Sequence, residues 1–206
     1  MQRWLDEEYP AIARQAKAEK AEIHWGDQMG LRSDHQTGTS YGRRRQTPVI
    51  PGTGQRFRCN VISTITNRGE LRFMVFKQNF NAAVFVKFAA RLLRRRKVRL
   101  IVDRHPAHRS AQLKLWLARH AARLEVFFLP GYSPDLNPDE FLNQDVKSNA
   151  LGRQRPATRA AMIDGVRSYL RSTQRQPKIV KSYFPAESVR YAAGQKCSML
   201  AALGSS

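Results

Sequence analysis

Residues 98–103 read VRLIVD, and residues 124–140 read LEVFFLPGYSPDLNPDE. The first is a short apolar run that ends in a carboxylate, Asp103. The second is an apolar run to Leu129 that breaks at Pro130, crosses a loop through Tyr132, Pro134 and Leu136, and opens a helix near Asn137-Pro138. Between them, Ser110 is placed to cap a helix with Leu113, Trp116, Leu117 and His120 on one side. Strand, helix, strand, helix is the order of a sheet covered by helices.

Working outward, Phe57, Cys59, Val61, Ser63 and Ile65 alternate on one face, as do Leu71, Phe73 and Val75, with Asn67 and Gly69 marking the turn of a β-hairpin. After Asn81, Phe85, Phe88, Ala89 and Leu92 recur at three and four. This predicts a helix to Lys97 whose Arg94–Lys97 end suits the helix dipole. AEIHWGD, residues 21–27, reads as a strand, and residues 1–20 as a helix leading into it. Residues 31–55, with the Tyr41-Gly42-Arg43-Arg44-Arg45 run before Pro48 and Pro51, read as a long basic loop holding at most a short strand. A last helix spans Thr158 to Leu170 with Met162, Val166 and Leu170 inward. No internal repeat is visible. The expected architecture is α/β, a mixed central sheet flanked by helices.

A chain of 206 residues suits one domain with a buried core. Its 36 Lys and Arg against 16 Asp and Glu give a formal charge of +20. Such a field seeks a polyanion, and nucleic acid is the leading partner, although ribosomal, nucleoid and membrane-surface proteins share the property. Cys59 and Cys197 lie far apart without CxxC spacing, which gives neither a disulfide framework nor a zinc site and fits a reducing cytosol. The sequence has no signal-peptide core and no apolar stretch of about 18 residues, so the expectation is a soluble, cytoplasmic protein without a membrane partner. GxSxG and Walker motifs are also missing, which argues against those hydrolase and nucleotide-binding classes.

With few acids in the chain, their positions carry information. Asp27, Asp103 and Glu140 sit where strands or the Pro-rich loop hand over to another element. Carboxylates at neighbouring strand ends can converge on hard divalent ions, and two such ions about 4 Å apart suit in-line displacement at phosphorus.

LIVDRHPAHRS, residues 100–110, followed by FFLPGYSPDLNPDEF, residues 127–141, resembles the second and third catalytic motifs of mariner-like bacterial insertion-sequence transposases of the DDE endonuclease superfamily. The Tyr132–Pro138 run followed by an acid is specific, and 36 residues separate Asp103 from Glu140, near the family interval. Upstream, IHWGDQMG resembles the segment bearing the first acid, which falls on Asp27. The resemblance covers roughly residues 20–192. It implies a ribonuclease H-like fold with Asp27 on the first strand, Asp103 at the end of the fourth and Glu140 on a helix. It also implies that the three acids are catalytic and bind two Mg²⁺ or Mn²⁺ ions, and that the reaction is hydrolysis at transposon ends followed by strand transfer to target DNA. A homodimer on DNA and association with the nucleoid are implied with it. The domain reading is then a helical lead-in over 1–20, the catalytic domain over 21–192 and a mobile tail over 193–206.

Gln28, Arg45, Arg104 and Gly131 depart from the family pattern, and the helix-turn-helix modules of whole transposases are not seen. These departures define an alternative expectation, a catalytically inactive, truncated transposon remnant that binds DNA without sequence preference. Plainer readings stand beside each residue. Asp103 can be an ordinary strand-end acid, Glu140 or its neighbour Asp139 a helix-dipole acid, and Asp27 the start of a turn before Gly30. His105 and His108, spaced HxxH about Pro106, read as structural or phosphate-contacting groups, His24 as a packed side chain, and Trp25, Trp116 and Tyr132 as core or loop supports. Pro134-Asp135 with Asp145-Val146-Lys147 superficially fits a restriction-type nuclease. The two arginine runs are either solvated or DNA contacts.

Overall fold

The computed structural model describes residues 1–34, 55–93, 96–151 and 156–194. Strands β1 (Glu22–Arg32), β2 (Arg58–Ile65), β3 (Leu71–Phe76), β4 (Val98–Val102) and β5 (Leu124–Phe128) form one sheet in the order β3-β2-β1-β4-β5. The β1–β2 and β2–β3 pairs are antiparallel, whereas β1–β4 and β4–β5 are parallel. The hairpin turn needs its glycine: Gly69 has φ +91°, and a Cβ there would lie 2.6 Å from the Pro177 carbonyl oxygen.

Strand alternation sorts the core into two layers. Trp25, Met29, Cys59, Val61, Ile65 and Ile101 face one side. There they meet α1 (Tyr9–Ala18), α4 (Asp139–Asp145) and α5 (Arg159–Gln174). Ile62, Met74, Leu100 and Val102 face the other side, against α2 (Ala82–Leu92) and α3 (Ala111–His120). The predicted inward set of α5 is correct, since Met162, Val166 and Leu170 are all buried. The N-terminal helix is also observed. A π-helical turn at Trp4–Glu8 runs into α1, and Trp4, Tyr9, Ile12 and Ala16 join the core.

Side chains begin three of the helices, at Ser110 as anticipated. Asn81 accepts from the Val84 N–H at 3.0 Å, Ser110 from the Leu113 N–H at 3.2 Å and Thr158 from the Ala161 N–H at 3.1 Å. Two boundaries and one burial differ from expectation. Helix α2 stops at Leu92 rather than Lys97, because the Lys97 carbonyl already accepts the Glu22 N–H at 2.8 Å at the entrance to β4 and β1. Strand β1 runs on to Arg32, into the stretch read as loop, because β2 pairs with it along that length. Strand β5 is half-buried rather than buried, since it is the edge strand. A short helix, α6 (Pro177–Lys181), was not anticipated. Arg43–Arg45, Arg94, Arg95, Cys197, the short strand considered within 35–54 and the tail from 195 onward lie outside the described residues. Among the described residues, no helix is long and apolar enough to cross a membrane.

Candidate active site

Asp27 lies within β1, its Cα paired with that of Ser63 on β2. The parallel register between β1 and β4 ends at Trp25↔Ile101, two residues before Asp27 on one strand and two before Asp103 on the other. Both stand toward the carboxyl end of the parallel strands, where open α/β sheets receive ligands. Gly26 is needed beside them: a Cβ at this position would fall 2.9 Å from Thr64 Cγ2 and 3.2 Å from the Ser63 carbonyl oxygen.

Glu140 reaches this edge on α4, and the loop before it is anchored residue by residue. Leu136 is buried, and its carbonyl accepts the Tyr191 hydroxyl at 2.6 Å. Asn137 donates from Nδ2 to the Gly26 carbonyl at 3.2 Å and accepts the Asp139 N–H on Oδ1 at 3.1 Å. One asparagine therefore staples the start of α4 to the residue preceding Asp27. Asn143, three residues after Glu140 and so on the same helical face, donates from Nδ2 to Asp27 Oδ2 at 2.7 Å and to Glu140 Oε2 at 3.4 Å. Asp27 Oδ1 accepts the Gln28 N–H at 2.7 Å.

Asp139 takes a different path from its neighbour. It is fully buried, its Oδ2 accepts the Ser63 hydroxyl at 2.7 Å, and its Oδ1 has no partner. Burial pushes its carboxyl up to about 8, with the Ser63 hydroxyl opposing and the Glu140 charge adding. Burial, then the negative charges of Glu140 and Asp139, hold the Asp27 carboxyl well above the usual range. Among the described residues, no Lys or Arg forms an ion pair with Asp27, Asp139 or Glu140, in a chain that carries 36 such cations.

Residues 22–163 match the DDE superfamily endonucleases. The chain belongs to that family. Its fold is the ribonuclease H-like one of Mos1 mariner transposase. Against the Mos1 strand transfer complex the TM-score is 0.62 at 17% identity, covering 95% of this chain and 62% of that one. Against the catalytic domain of Mos1 mariner transposase it is 0.56 at 14% identity, covering 90% of each chain. The Mos1 paired end complex with Mn gives 0.61 at 17% identity, with 90% and 60% covered. This chain thus spans about three-fifths of the transposase in those complexes. No curated protein matches it.

In this member of the family Asp103 is engaged by two histidines. Asp103 is half-exposed, and His108 Nδ1 lies 2.9 Å from its Oδ1 and 3.1 Å from its carbonyl oxygen. Both are acceptors, so the ring carries its proton on Nδ1 and donates. The His105 N–H also donates to Asp103 Oδ1 at 3.2 Å. Burial works to raise this carboxyl, but the His108 and His105 contacts outweigh it and hold it below the usual range. His108 is itself buried, its ring 4.5 Å from that of Phe85 and 5.3 Å from that of Phe80. Of the HxxH pair His108 is packed, and His24 is likewise packed, with Nδ1 3.1 Å from the Thr64 hydroxyl.

The structure brings Asp27 and Glu140 into one hydrogen-bonded unit through Asn143, whereas Asp103 bonds to His105 and His108. Among the described residues, no three Asp, Glu, His or Cys side chains stand close enough to share one ion. The chemistry of the donors nevertheless fits a hard divalent cation: two carboxylates that repel one another, no internal cation, and the Oδ1 atoms of Asn143 and Asp139 buried without a hydrogen-bond partner.

Two further residues depart from their plain readings. Tyr132 supports no core, since it is fully exposed at 107% and has a left-handed backbone, φ 56°. Asp145, the acid of the restriction-like pattern, serves the scaffold: it accepts the hydroxyls of Tyr169 and Tyr183 at 2.8 and 2.5 Å. Asn143, Ser63 and the orienting role of His108 were missed from sequence. The spacing of Asn143 from Glu140 could have flagged it, but no local pattern joins Ser63 to Asp139.

Proposed function

We propose that this chain is the catalytic domain of a DNA transposase, its working unit spanning 21–192, which hydrolyses phosphodiester bonds at transposon ends and joins the freed 3′ end to target DNA. The observation that carries the reading is an acidic edge left without an internal cation in a protein of charge +20. Asp27, Glu140 and Asp103 would hold the metal ions, Mg²⁺ or Mn²⁺ and two in number, with Asp103 the acid whose His108 and His105 contacts compete with a cation. When bound, such ions activate the attacking oxygen and neutralise charge on the leaving one. Asn143 orients Asp27 and Glu140 toward one another, and Asn137 fixes the height of α4 over β1. The YSPDLNP loop is thereby the positioning device of the third acid. The strand transfer complex of Mos1 and its paired end complex with Mn support DNA and divalent metal as partners. Two copies on DNA, one for each end, and a nucleoid-associated location in the cytoplasm complete the reading.

The experiment is metal-dependent nicking of supercoiled plasmid by wild type and by Asp103→Ala, in Mg²⁺ and then Mn²⁺. Loss of at least about a thousandfold in the variant is expected, corresponding to about 4 kcal/mol of transition-state stabilisation. Equal nicking by both proteins would sink the assignment. Binding without nicking by wild type would favour the inactive remnant. Lys147→Ala should nick like wild type, since the Asp145 segment belongs to the scaffold.

A further inference from the structure

Residues 167–176 read RSYLRSTQRQ, with an arginine followed by a polar residue at 167–168, 171–172 and 175–176. A four-residue step stacks side chains on one face of a helix. Met162, Val166, Leu170 and Thr173 take the inner face of α5, which leaves Arg167, Arg171 and Arg175 exposed in a row along the outer one. At 1.5 Å per residue the row is about 12 Å long, with one guanidinium every ~6 Å. The open surface along it also takes in Ser168 and Ser172, with Asp164 at its near end. Arg167 has Asp164 at 3.6 Å, whereas Arg171 and Arg175 have no ion-pair partner among the described residues. Gln176 donates to the Ser172 carbonyl and hydroxyl, both at 3.2 Å, and so fixes the far end of the row.

Like charges at i and i+4 destabilise a helix, and the row carries one such pair within α5, Arg167 and Arg171, and a second that reaches its C-cap Arg175. A fold-only role for the row is therefore poorly supported, because its inner face already anchors the helix.

We propose that this arginine row is a docking ridge for the phosphates of one strand of duplex DNA. Over ~12 Å of helix axis a strand of B-DNA presents about three to four phosphates, enough to meet all three arginines. Guanidinium forks suit phosphate oxygens, and the Ser168 hydroxyl adds a neutral donor beside them. The contact reads no bases, so it positions DNA without selecting sequence. Helix α5 packs on the same face of the sheet as α4, which carries Glu140, so DNA lying along the ridge stays on the side of the acids. The proposal rests on the reading of the chain as a DNA enzyme and adds a second, non-catalytic stretch of the DNA path.

The test is the salt dependence of binding to a 30-base-pair duplex, followed by fluorescence anisotropy from 50 to 200 mM salt, for the full chain and two triple variants. One is R167Q/R171Q/R175Q. The other, R14Q/K17Q/K114Q, removes the same charge from exposed positions on α1 and α3. The ridge variant should reduce the slope of log affinity against log salt by about 2.7, so that its loss of affinity over that range is about 40-fold smaller than that of wild type. The control should keep the wild-type slope. Equal slope changes in both triples, or none in the ridge variant, would overturn the proposal, and circular dichroism confirms that each variant is folded. Nicking by Asp103→Ala is scored separately: its retention would remove the catalytic assignment without altering the slopes, whereas an unchanged slope would remove the ridge and leave the nicking result standing.

Discussion

The two ends of the parallel strand pair β1–β4 handle acids in opposite ways. At the entrance, Arg99 is buried and ion-pairs with Glu19 and, at 3.5 Å, with Glu125, while Arg96 meets Glu22 at 2.8 Å. The Gln15 amide and then Arg99 draw the Glu19 carboxyl down, and His24 draws down that of Glu22 against burial. At the exit, Asp27 and Asp139 face Glu140 with no cation, and both are pushed up. One end is a salt-bridge network around a buried guanidinium, although Arg99 Nε and Nη1 lack hydrogen-bond partners. The other is electrostatically open, which costs stability and is characteristic of sites built for a ligand.

The largest effect that separates the two ends should come from Asp27→Asn. Metal-dependent nicking should fall at least about a thousandfold, yet the melting temperature in chelator at pH 8 should rise, because a repelled, desolvated carboxylate is gone. Glu22→Gln at the entrance should do the reverse, lowering the melting temperature and leaving nicking within about twofold of wild type. A melting temperature that falls in Asp27→Asn would break the contrast.

Next in size is the pH response. Asp139 has a folded value of about 8 against an ordinary 3.8, so between those values the folded state holds a proton that the unfolded state has released. Its contribution is therefore fully present below about 4 and is lost as pH rises through about 8. Asp27 shifts in the same direction. Denaturant titrations in chelator should show metal-free stability declining across this window, and less steeply in Asp139→Asn. A stability that climbs steadily from pH 5 to 8 would contradict the exit-end electrostatics.

The smallest effect concerns the entrance network itself. Arg99 is buried, whereas Glu19 and Glu125 are part-exposed, so water can take over the carboxylates but not the guanidinium. Thermal melts should show Glu19→Ala less stable than Arg99→Met. The opposite order would mean that the acids, and not the buried cation, need the pairing.

Much of this was legible in the sequence where the physics is local. Alternation at 57–65 and 71–76 exposed the hairpin, the cap Ser110 marked the start of α3, and the VRLIVD and YSPDLNP segments drew attention to Asp103 and Glu140. The ends of α2 and β1 were misplaced because they are set by partners elsewhere in the chain: the Lys97 carbonyl by Glu22, and residues 28–32 by β2. The Ser63–Asp139 bond joins residues 76 apart and leaves no short-range trace. Asn143 was within reach, three residues after Glu140, but an amide carries no charge to draw the eye toward an acidic site.

The most direct test of the central claim is Mn²⁺ binding, followed by electron paramagnetic resonance at pH 7.5 for wild type, Asp27→Asn and Glu22→Gln. Saturable binding in wild type and Glu22→Gln, lost or weakened at least about tenfold in Asp27→Asn, is the result expected of an exit edge built for divalent cations. Equal binding by all three, or none by wild type, would contradict it.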